Sequence, residues 1–233
     1  TKDIPVVYGH RSIGDMDVYF LSNQSSEKVV FSPEFRVTNK QPELWEPATG
    51  AIRLLKKYER NANATVIPLE LEPLESIFVV FAKEASSSSL VNDTDTNYPK
   101  PQTIATLAGP WTVSFNESQR GPQDPVVFQS LYDWSTSKED AIRYYSGTAV
   151  YRTEFTLKDI VPNNPLFINL NEVAVMAKVK VNGQYIGGVW TPPYRLNISE
   201  AIKQGTNKVE IEVVNTWVNR LIGDSKLPVE ERP

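Results

Sequence analysis

The 233-residue sequence contains no cysteine and only one histidine, His10. The lack of cysteine excludes disulfide bonds and thiolate metal sites. A single histidine also excludes a histidine-based catalytic triad or a multi-histidine metal site, unless another domain contributes residues. We therefore expect neither a metal nor a cofactor in this chain.

Long apolar runs and a surplus of basic residues are absent as well. Apolar runs such as residues 77–82 are far shorter than the roughly 20 residues that span a bilayer. The formal net charge is −4, and the lysines and arginines are scattered rather than clustered. These features predict no contact with a membrane or with nucleic acid. Because the chain starts at Thr1 without a leader-like segment, we expect a processed product or a piece of a longer polypeptide.

The alternation of apolar and polar residues is clearest in residues 174–190. Every second residue from Val175 to Val181 is apolar, which places one row of side chains on a core. Asn182 and Gly183 follow directly, and both residue types tolerate the positive φ values of a two-residue type I′ turn. This stretch predicts a β-hairpin.

The first half of the chain has the pattern of a β-sandwich. In residues 4–82, short β-prone runs recur about every ten residues and are separated by turn residues and prolines. One such run places Met16, Val18 and Phe20 on a common strand face. No helical periodicity lies between the runs. We place this domain at residues 1–85.

Residues 86–102 have a different composition and predict a linker or a long loop. They contain four consecutive serines, a run of Asn, Asp and Thr, and two prolines, with few apolar residues to bury. Asp93 and Asp95 could bind calcium. The run lacks the glycine and distal glutamate of a calcium loop, however, so a solvated loop is the favoured interpretation.

Residues 103–233 predict a second β-sandwich of the jelly-roll type. Alternating apolar residues mark strands near residues 111–115, 149–157 and 208–213, besides the hairpin. Trp111 and Trp217 begin or end alternating segments, and we expect both in the core. The predicted fold class is therefore all-β, with two consecutive β-sandwiches.

Several sequence segments resemble a known enzyme family. YYSGTAVYRTEF at residues 144–155 and VKVNGQYIGGVWTPPYRLNISEAIKQGTNKVEIEVVNTW at residues 179–217 resemble the galactose-binding-like jelly roll of β-galactosidase-type glycoside hydrolases. GPWTVSF at residues 109–115 and NTWVNRLIGD at residues 215–224 are closer to the C-terminal region of bacterial α-L-rhamnosidases of glycoside hydrolase family 106. HRSIGDMDVYFLSNQ from His10 and PELWEPATG from Pro42 resemble the sandwich that follows the catalytic barrel in the same enzymes.

The resemblance implies a part of a glycoside hydrolase without its catalytic domain. The catalytic carboxylates of the family lie in an upstream (β/α)₈ barrel, and the alternating strands and helices of a barrel are absent here. The implied role is a non-catalytic accessory region of a periplasmic or extracellular enzyme that degrades plant polysaccharides. The implied partners are the barrel of the parent polypeptide and an oligosaccharide. A stand-alone carbohydrate-binding or adhesion module remains the alternative.

Acidic pairs close in sequence do not by themselves indicate glycosidase chemistry. Glu43 and Glu46 flank a tryptophan, and Asp15 and Asp17 are two residues apart, but with 28 acidic residues such neighbours are expected. Solvated surface carboxylates are the favoured interpretation. We predict no catalytic residue in this chain.

Two groups of residues are candidates for other contacts. His10 and Arg11 lie in a predicted glycine-containing loop just before a predicted strand, where we expect a structural role or a position facing the missing barrel rather than direct contact with a sugar. Aromatic rings near predicted loops are the pool for stacking on a sugar, although packing is the favoured role. These residues are Tyr132, Trp134, Tyr144, Tyr145, Trp190 and Tyr194.

Overall fold

The structure is a computed structural model, and it describes residues 4–84, 96–160 and 164–232. The described residues divide into two compact units, residues 1–102 with 191–193, and residues 103–190 with 194–233. Strands dominate both units, which confirms the all-β class. No helix among the described residues is long and apolar enough to cross a membrane. Asp93 and Asp95, the residues considered for calcium, lie outside the described residues.

The first unit has ten strands among its described residues. They are β1 (Val6–Ile13), β2 (Met16–Asn23), β3 (Val29–Phe31), β4 (Glu34–Phe35), β5 (Lys40–Trp45), β6 (Ile52–Leu54), β7 (Glu59–Arg60), β8 (Thr65–Val66), β9 (Leu69–Leu71) and β10 (Ser76–Glu84). Five of them form an antiparallel sheet in the order β1-β2-β10-β5-β6. Smaller sheets, β3-β9 and β4-β8-β7, complete the unit.

The core of the first unit lies on one face of the five-stranded sheet. Directly paired residues of neighbouring strands share a face, so the register places Tyr19, Val79 and Leu44 in one inward row. Met16, Val18 and Phe20 do share a strand face, as predicted, but it is the outer face. Both faces of β2 are rich in apolar residues, so the alternation alone could not show which one is buried.

Part of the segment predicted as a linker or long loop contributes to the first unit. The side chain of Asn97 is buried, and its amide nitrogen donates hydrogen bonds to the carbonyl oxygens of Lys57 and Pro68 at 2.7 and 3.2 Å. The Asn97 oxygen accepts the Lys57 amide at 2.9 Å. Tyr98 packs beside it against the core. These contacts fix the C-terminal end of residues 86–102.

Within residues 103–160 and 164–232, the second unit has eight strands and two α-helices. They are β11 (Trp111–Phe115), β12 (Val126–Phe128), α1 (Asp140–Arg143), β13 (Thr148–Leu157), β14 (Phe167–Asn169), β15 (Met176–Val181), β16 (Gln184–Val189), β17 (Arg195–Asn197), β18 (Gly205–Val214) and α2 (Val218–Ser225). Short 3₁₀ turns cover Glu117–Gln119, Trp134–Thr136 and Val229–Glu231. The main sheet has the order β12-β11-β13-β18-β15-β16, and β14 pairs with β17.

The predicted hairpin forms as β15 and β16. Asn182 and Gly183 have φ values of 52° and 83°, as a type I′ turn requires. Val179 and Val181 are fully buried, which confirms the inward row. β18 pairs with both β13 and β15, so the hairpin extends the main sheet from β18, and β16 is its edge strand.

The solvent face of this sheet carries a ladder of paired charges on neighbouring strands. Glu210 of β18 lies between Arg152 of β13 and Lys180 of β15, with N···O distances of 2.8 and 2.9 Å. Lys180 also contacts Glu212 at 3.2 Å. The hydrogen bond from Lys180 is the main cause that lowers the pKa of Glu210, and Arg152 adds to it. The ladder explains why this face is polar although the strands are apolar on the other side.

The turn of the hairpin is held by two asparagine side chains. Asn182 donates to the side-chain oxygen of Asn207 at 2.8 Å, and its own oxygen accepts the Lys208 amide at 2.9 Å. Asn207 is fully buried, accepts the Lys203 amide and donates to the Lys203 carbonyl oxygen. Each group on Asn207 therefore satisfies a backbone or side-chain group that would otherwise lack a partner.

We predict that Asn207→Ala lowers the free energy of unfolding of the second unit by about 2 to 4 kcal/mol, because several buried polar groups lose their partners. Urea unfolding followed by tryptophan fluorescence measures this, since four of the five tryptophans belong to the second unit. Asn164→Ala, at an exposed asparagine, is the control and should have little effect. Equal effects of the two substitutions would contradict the assigned role of Asn207.

Candidate functional site

His10 lies within the edge strand β1 and not in the loop that the sequence predicts, and it pairs with Tyr19 of β2. Its Nε2 lies 3.1 Å from a carboxylate oxygen of Asp17, and its ring stacks on Tyr19 with centroids 4.2 Å apart. Burial raises the pKa of Tyr19, and the negative charge of Asp17 raises it further. The histidine ring thus makes its contacts within its own sheet, and a position of His10 and Arg11 that faces a barrel stays a prediction.

Asp17 is the centre of a small polar network at this end of the sheet. Its carboxylate accepts hydrogen bonds from Ser12 and from Lys40, each at 3.1 Å, besides the contact with His10. Burial by itself would raise the pKa of Asp17. The hydrogen bonds from Lys40, His10 and Ser12 outweigh burial, so the pKa lies below its ordinary value. Asp17 is therefore an anion at neutral pH and unsuited to act as a general acid.

A shallow groove of about 240 Å³ runs beside His10 on the first unit. It is lined by Gly9, His10, Arg11, Val18, Phe20 and Phe78. In the register, Gly9 lies opposite Phe20, which in turn lies opposite Phe78 on the same face. The missing side chain at Gly9 leaves the phenyl rings open at the sheet edge. Arg11 is exposed and supplies the charge at the rim of this apolar groove.

The remaining acidic candidates do not form a glycosidase pair. Glu43 is buried, accepts the indole N–H of Trp45 at 2.9 Å and lies 3.4 Å from the ammonium of Lys83. Glu46 is half-buried and accepts the Thr49 hydroxyl, whereas Asp15 is exposed. Such a pair needs one carboxyl kept protonated near neutral pH, and the hydrogen bonds to Asp17 favour its anion instead. In the described part of the chain, no cluster of acidic or histidine side chains could hold a metal ion.

Two of the six aromatic candidates of the second unit belong to its core. Trp134 is 7% exposed and Tyr145 is 1% exposed. The Trp134 indole donates to the Tyr151 hydroxyl, and Tyr145 donates to the Thr148 carbonyl oxygen at 2.8 Å. Both rings pack edge-to-face on Phe115. Neither ring has a free face for a sugar, so both are removed from the candidates for sugar contact. Packing in the core, the favoured interpretation, is the role that the structure gives them.

The other four aromatic candidates keep part of their surface accessible. Trp190 is 60% exposed and Tyr132 is 40% exposed, while Tyr144 and Tyr194 are half-buried. Tyr132 rests on Phe128, with centroids 4.6 Å apart. Among the described residues, no ring contact joins these four side chains to one another. A sugar contact by any of them stays a prediction.

The expectation of two core tryptophans is confirmed for Trp111 and wrong for Trp217. Trp111 is 2% exposed, whereas Trp217 is 73% exposed. Trp217 comes after the end of β18 and directly before α2, so the strand alternation no longer fixes its direction. The sequence contained a signal for this: Trp217 and Leu221 are spaced i, i+4, as on one face of a helix. Leu221 is exposed as well.

Tyr185 and Lys226 are accessible residues that the sequence reasoning passed over. Tyr185 is 58% exposed on β16, and Lys226 follows α2 and donates to the hydroxyl of Tyr144 at 2.7 Å. Tyr185 lies inside a predicted strand, whereas the aromatic candidates were chosen from residues near predicted loops. Lys226 and Tyr144 are 82 residues apart in the sequence, and they come into contact only in the folded chain.

We predict that Lys40→Met raises the pKa of Asp17 toward its ordinary value, because the strongest hydrogen bond to the carboxylate is lost. The Asp17 contribution to stability is present above the unfolded-state pKa of about 4 and is lost as the pH falls through the lower folded-state pKa. Carboxyl carbon chemical shifts in an NMR pH titration measure the change. Lys56→Met, at an exposed lysine, should leave the Asp17 titration unchanged. A shift of equal size in both variants would refute the network.

Comparison with known proteins finds that parts of both units are similar to parts of glycoside hydrolases. Residues 1–60 match the family model described as α-L-rhamnosidase, glycoside hydrolase family 106. Residues 131–231 match the model described as glycosyl hydrolase 2 galactose-binding domain-like.

A curated relative from Formosa agariphila, named "Putative beta-glucuronidase", is 43% identical over 132 residues, which are 56% of this chain and 11% of the relative. The solved structure of a rhamnosidase from Novosphingobium sp. PP1Y has a TM-score of 0.88 and 35% identity, and the match covers 99% of this chain and 21% of that one. The chain thus spans a small part of the length of both relatives. The predicted resemblance is confirmed: residues 1–60 are α-L-rhamnosidase-like, and residues 131–231 form a galactose-binding-like domain associated with glycoside hydrolases.

Proposed function

We propose that this chain is a non-catalytic accessory region of an α-L-rhamnosidase-like glycoside hydrolase acting on plant polysaccharides outside the cytoplasm. Its partner is the catalytic barrel of the parent polypeptide, which it braces. The outer face of the first five-stranded sheet carries this proposal. The positions of the acidic candidates also support a non-catalytic role. Each of these carboxylates either has a hydrogen-bond or ion-pair partner or lies alone on the surface.

The outer face of the first unit is unusually apolar for a surface. Val7, Ile13, Phe20, Ile52 and Leu54 share this face in the strand register, and each is between 37 and 58% exposed. Exposed apolar side chains that gather on one face mark a surface that a neighbour covers. A rigid sheet with such a face is suited to support another domain.

Carbohydrate contact by the second unit is the second candidate function. The supporting observation is the exposure of Trp190 and Tyr132, two amphipathic rings of a galactose-binding-like domain. The exposed rings are not grouped into one platform, so this candidate ranks below the bracing role.

We predict that the isolated chain does not hydrolyse aryl α-L-rhamnosides, because none of the acidic candidates in the part of the chain that the structure describes forms a pair with divided acid and base roles. Release of the aryl group over hours at pH 5 and pH 7 is the measurement. Turnover that persists through purification and follows the chain in size-exclusion chromatography would overturn the non-catalytic assignment. A heat-denatured sample is the control.

We also predict that the isolated chain self-associates through the apolar sheet face, because that face lacks its natural cover. The double substitution Ile52→Lys with Leu54→Lys should weaken the association constant by about tenfold or more, since two exposed apolar side chains become charged. Sedimentation equilibrium measures it. The matched control is Val127→Lys with Leu131→Lys, which charges two exposed apolar residues of the second unit. Equal weakening by both double variants would contradict a specific role of the sheet face.

A further inference from the structure

The ring of Tyr144 is held in one position by the helix α2. A β-carbon added at Gly223 would lie 2.7 Å from the β-carbon of Tyr144 and 2.8 Å from its Cγ, closer than real side chains come. The helix backbone therefore touches the start of the tyrosine side chain, and only a glycine permits this approach. The amide of Arg220 in the same helix donates to the Ser146 hydroxyl at 3.0 Å. Tyr144 thus belongs to a rigid part of the second unit.

Two cationic side chains converge on this tyrosine. Lys226 donates from Nζ to the phenolic oxygen at 2.7 Å, and the guanidinium carbon of Arg143 lies 5.7 Å from the ring centroid. Hydrogen bonds from Lys226 first and from Arg143 second lower the pKa of Tyr144. The two cations come from chain segments about 80 residues apart, so the arrangement is a property of the fold.

The group has hydrogen-bond donors left over. The Tyr144 oxygen accepts the bond from Lys226 and so retains its own proton for donation, and an ammonium has three donors of which one is used here. Among the described residues, no carboxylate lies within ion-pair distance of Lys226, whereas Lys180 and Lys28 each contact two. Arg143 donates from Nε to the Ser137 carbonyl oxygen at 2.6 Å and lies 3.4 Å from Asp140, a carboxylate that is 75% exposed and screened by water. A guanidinium has five donors, so N–H groups of Arg143 remain for a ligand.

We propose that Lys226, Tyr144 and Arg143 bind an anionic group, a carboxylate or a sulfate, of an acidic saccharide. An anion placed between the three side chains accepts charge-assisted hydrogen bonds from both cations and a third bond from the phenol. Tyr144 changes from acceptor alone to acceptor and donor, and no covalent step is involved. The identification of the ligand as a saccharide rests on the proposed carbohydrate context of the chain. The inference that the bound group is an anion rests on the three side chains.

The test is NMR titration of the whole chain with four probes: oligogalacturonate, a sulfated galactan oligosaccharide, a neutral galactan oligosaccharide and sodium sulfate. We expect at least one acidic saccharide to bind more tightly than the neutral one, with amide shifts around Tyr144. Lys226→Met and Tyr144→Phe should each weaken this binding by about tenfold or more, because each removes a donor to an anion. Lys178→Met, at an exposed lysine with no carboxylate within ion-pair distance among the described residues, is the matched control and should retain binding. Added salt should weaken the binding of the acidic saccharide to the unsubstituted chain, because it screens the charges.

A second readout separates a binding site from a merely structural contact. Lys226→Met should raise the pKa of Tyr144 in an ultraviolet phenol titration, and saturating acidic saccharide should change that pKa in the unsubstituted chain only. Equal affinity for neutral and acidic probes, or equal affinity in all variants, would overturn the anion site while leaving a carbohydrate role intact. Binding of sodium sulfate without any saccharide would overturn the saccharide as the ligand. The proposed accessory role is tested separately, because turnover of aryl α-L-rhamnosides by the isolated chain would contradict it.

Discussion

Mutual packing of aromatic rings holds the second unit together, and it determines which side chains remain for contact with other molecules. Phe115 lies at the centre, with Phe128, Trp134 and Tyr145 around it at centroid distances of 5.0 to 6.2 Å. Burial raises the pKa of Tyr151, which packs on the same cluster, to about 12, so its hydroxyl stays protonated and accepts the Trp134 indole. Edge-to-face rings of this kind contribute packing energy beyond their buried area. The aromatic residues outside the cluster are the ones that can act at the surface.

The sequence predicted the strands and the hairpin well, because their signals are local. The alternation from Val175 to Val181 and the Asn182-Gly183 turn each depend on residues that are adjacent in the chain. The side of a strand that is buried is not local information when both rows are apolar, and β2 shows this: Tyr19 and Leu21 are inside, whereas Phe20 is outside. Trp217 was misplaced for a related reason, since the chain changes from a strand to a helix there and the period changes with it.

The candidate sites could be predicted only in part. Loop position drew attention to Tyr144, but its contacts with Gly223 and Lys226 are long-range contacts, which have no signature in one sequence. His10 was recognised by resemblance, and its commitment to Asp17 and Tyr19 became visible only with the strand register. Exposed and buried aromatic rings likewise look the same in a sequence, because tryptophan and tyrosine suit both environments.

The charge ladder on the second sheet has a consequence for how this chain can be approached. Arg152, Glu210, Lys180 and Glu212 already satisfy one another across three strands. A neighbouring protein that covered them would have to strip their water and would gain no new ion pair in return. That face is therefore a poor protein–protein interface, and we expect a stable assembly to form through other surfaces of this chain.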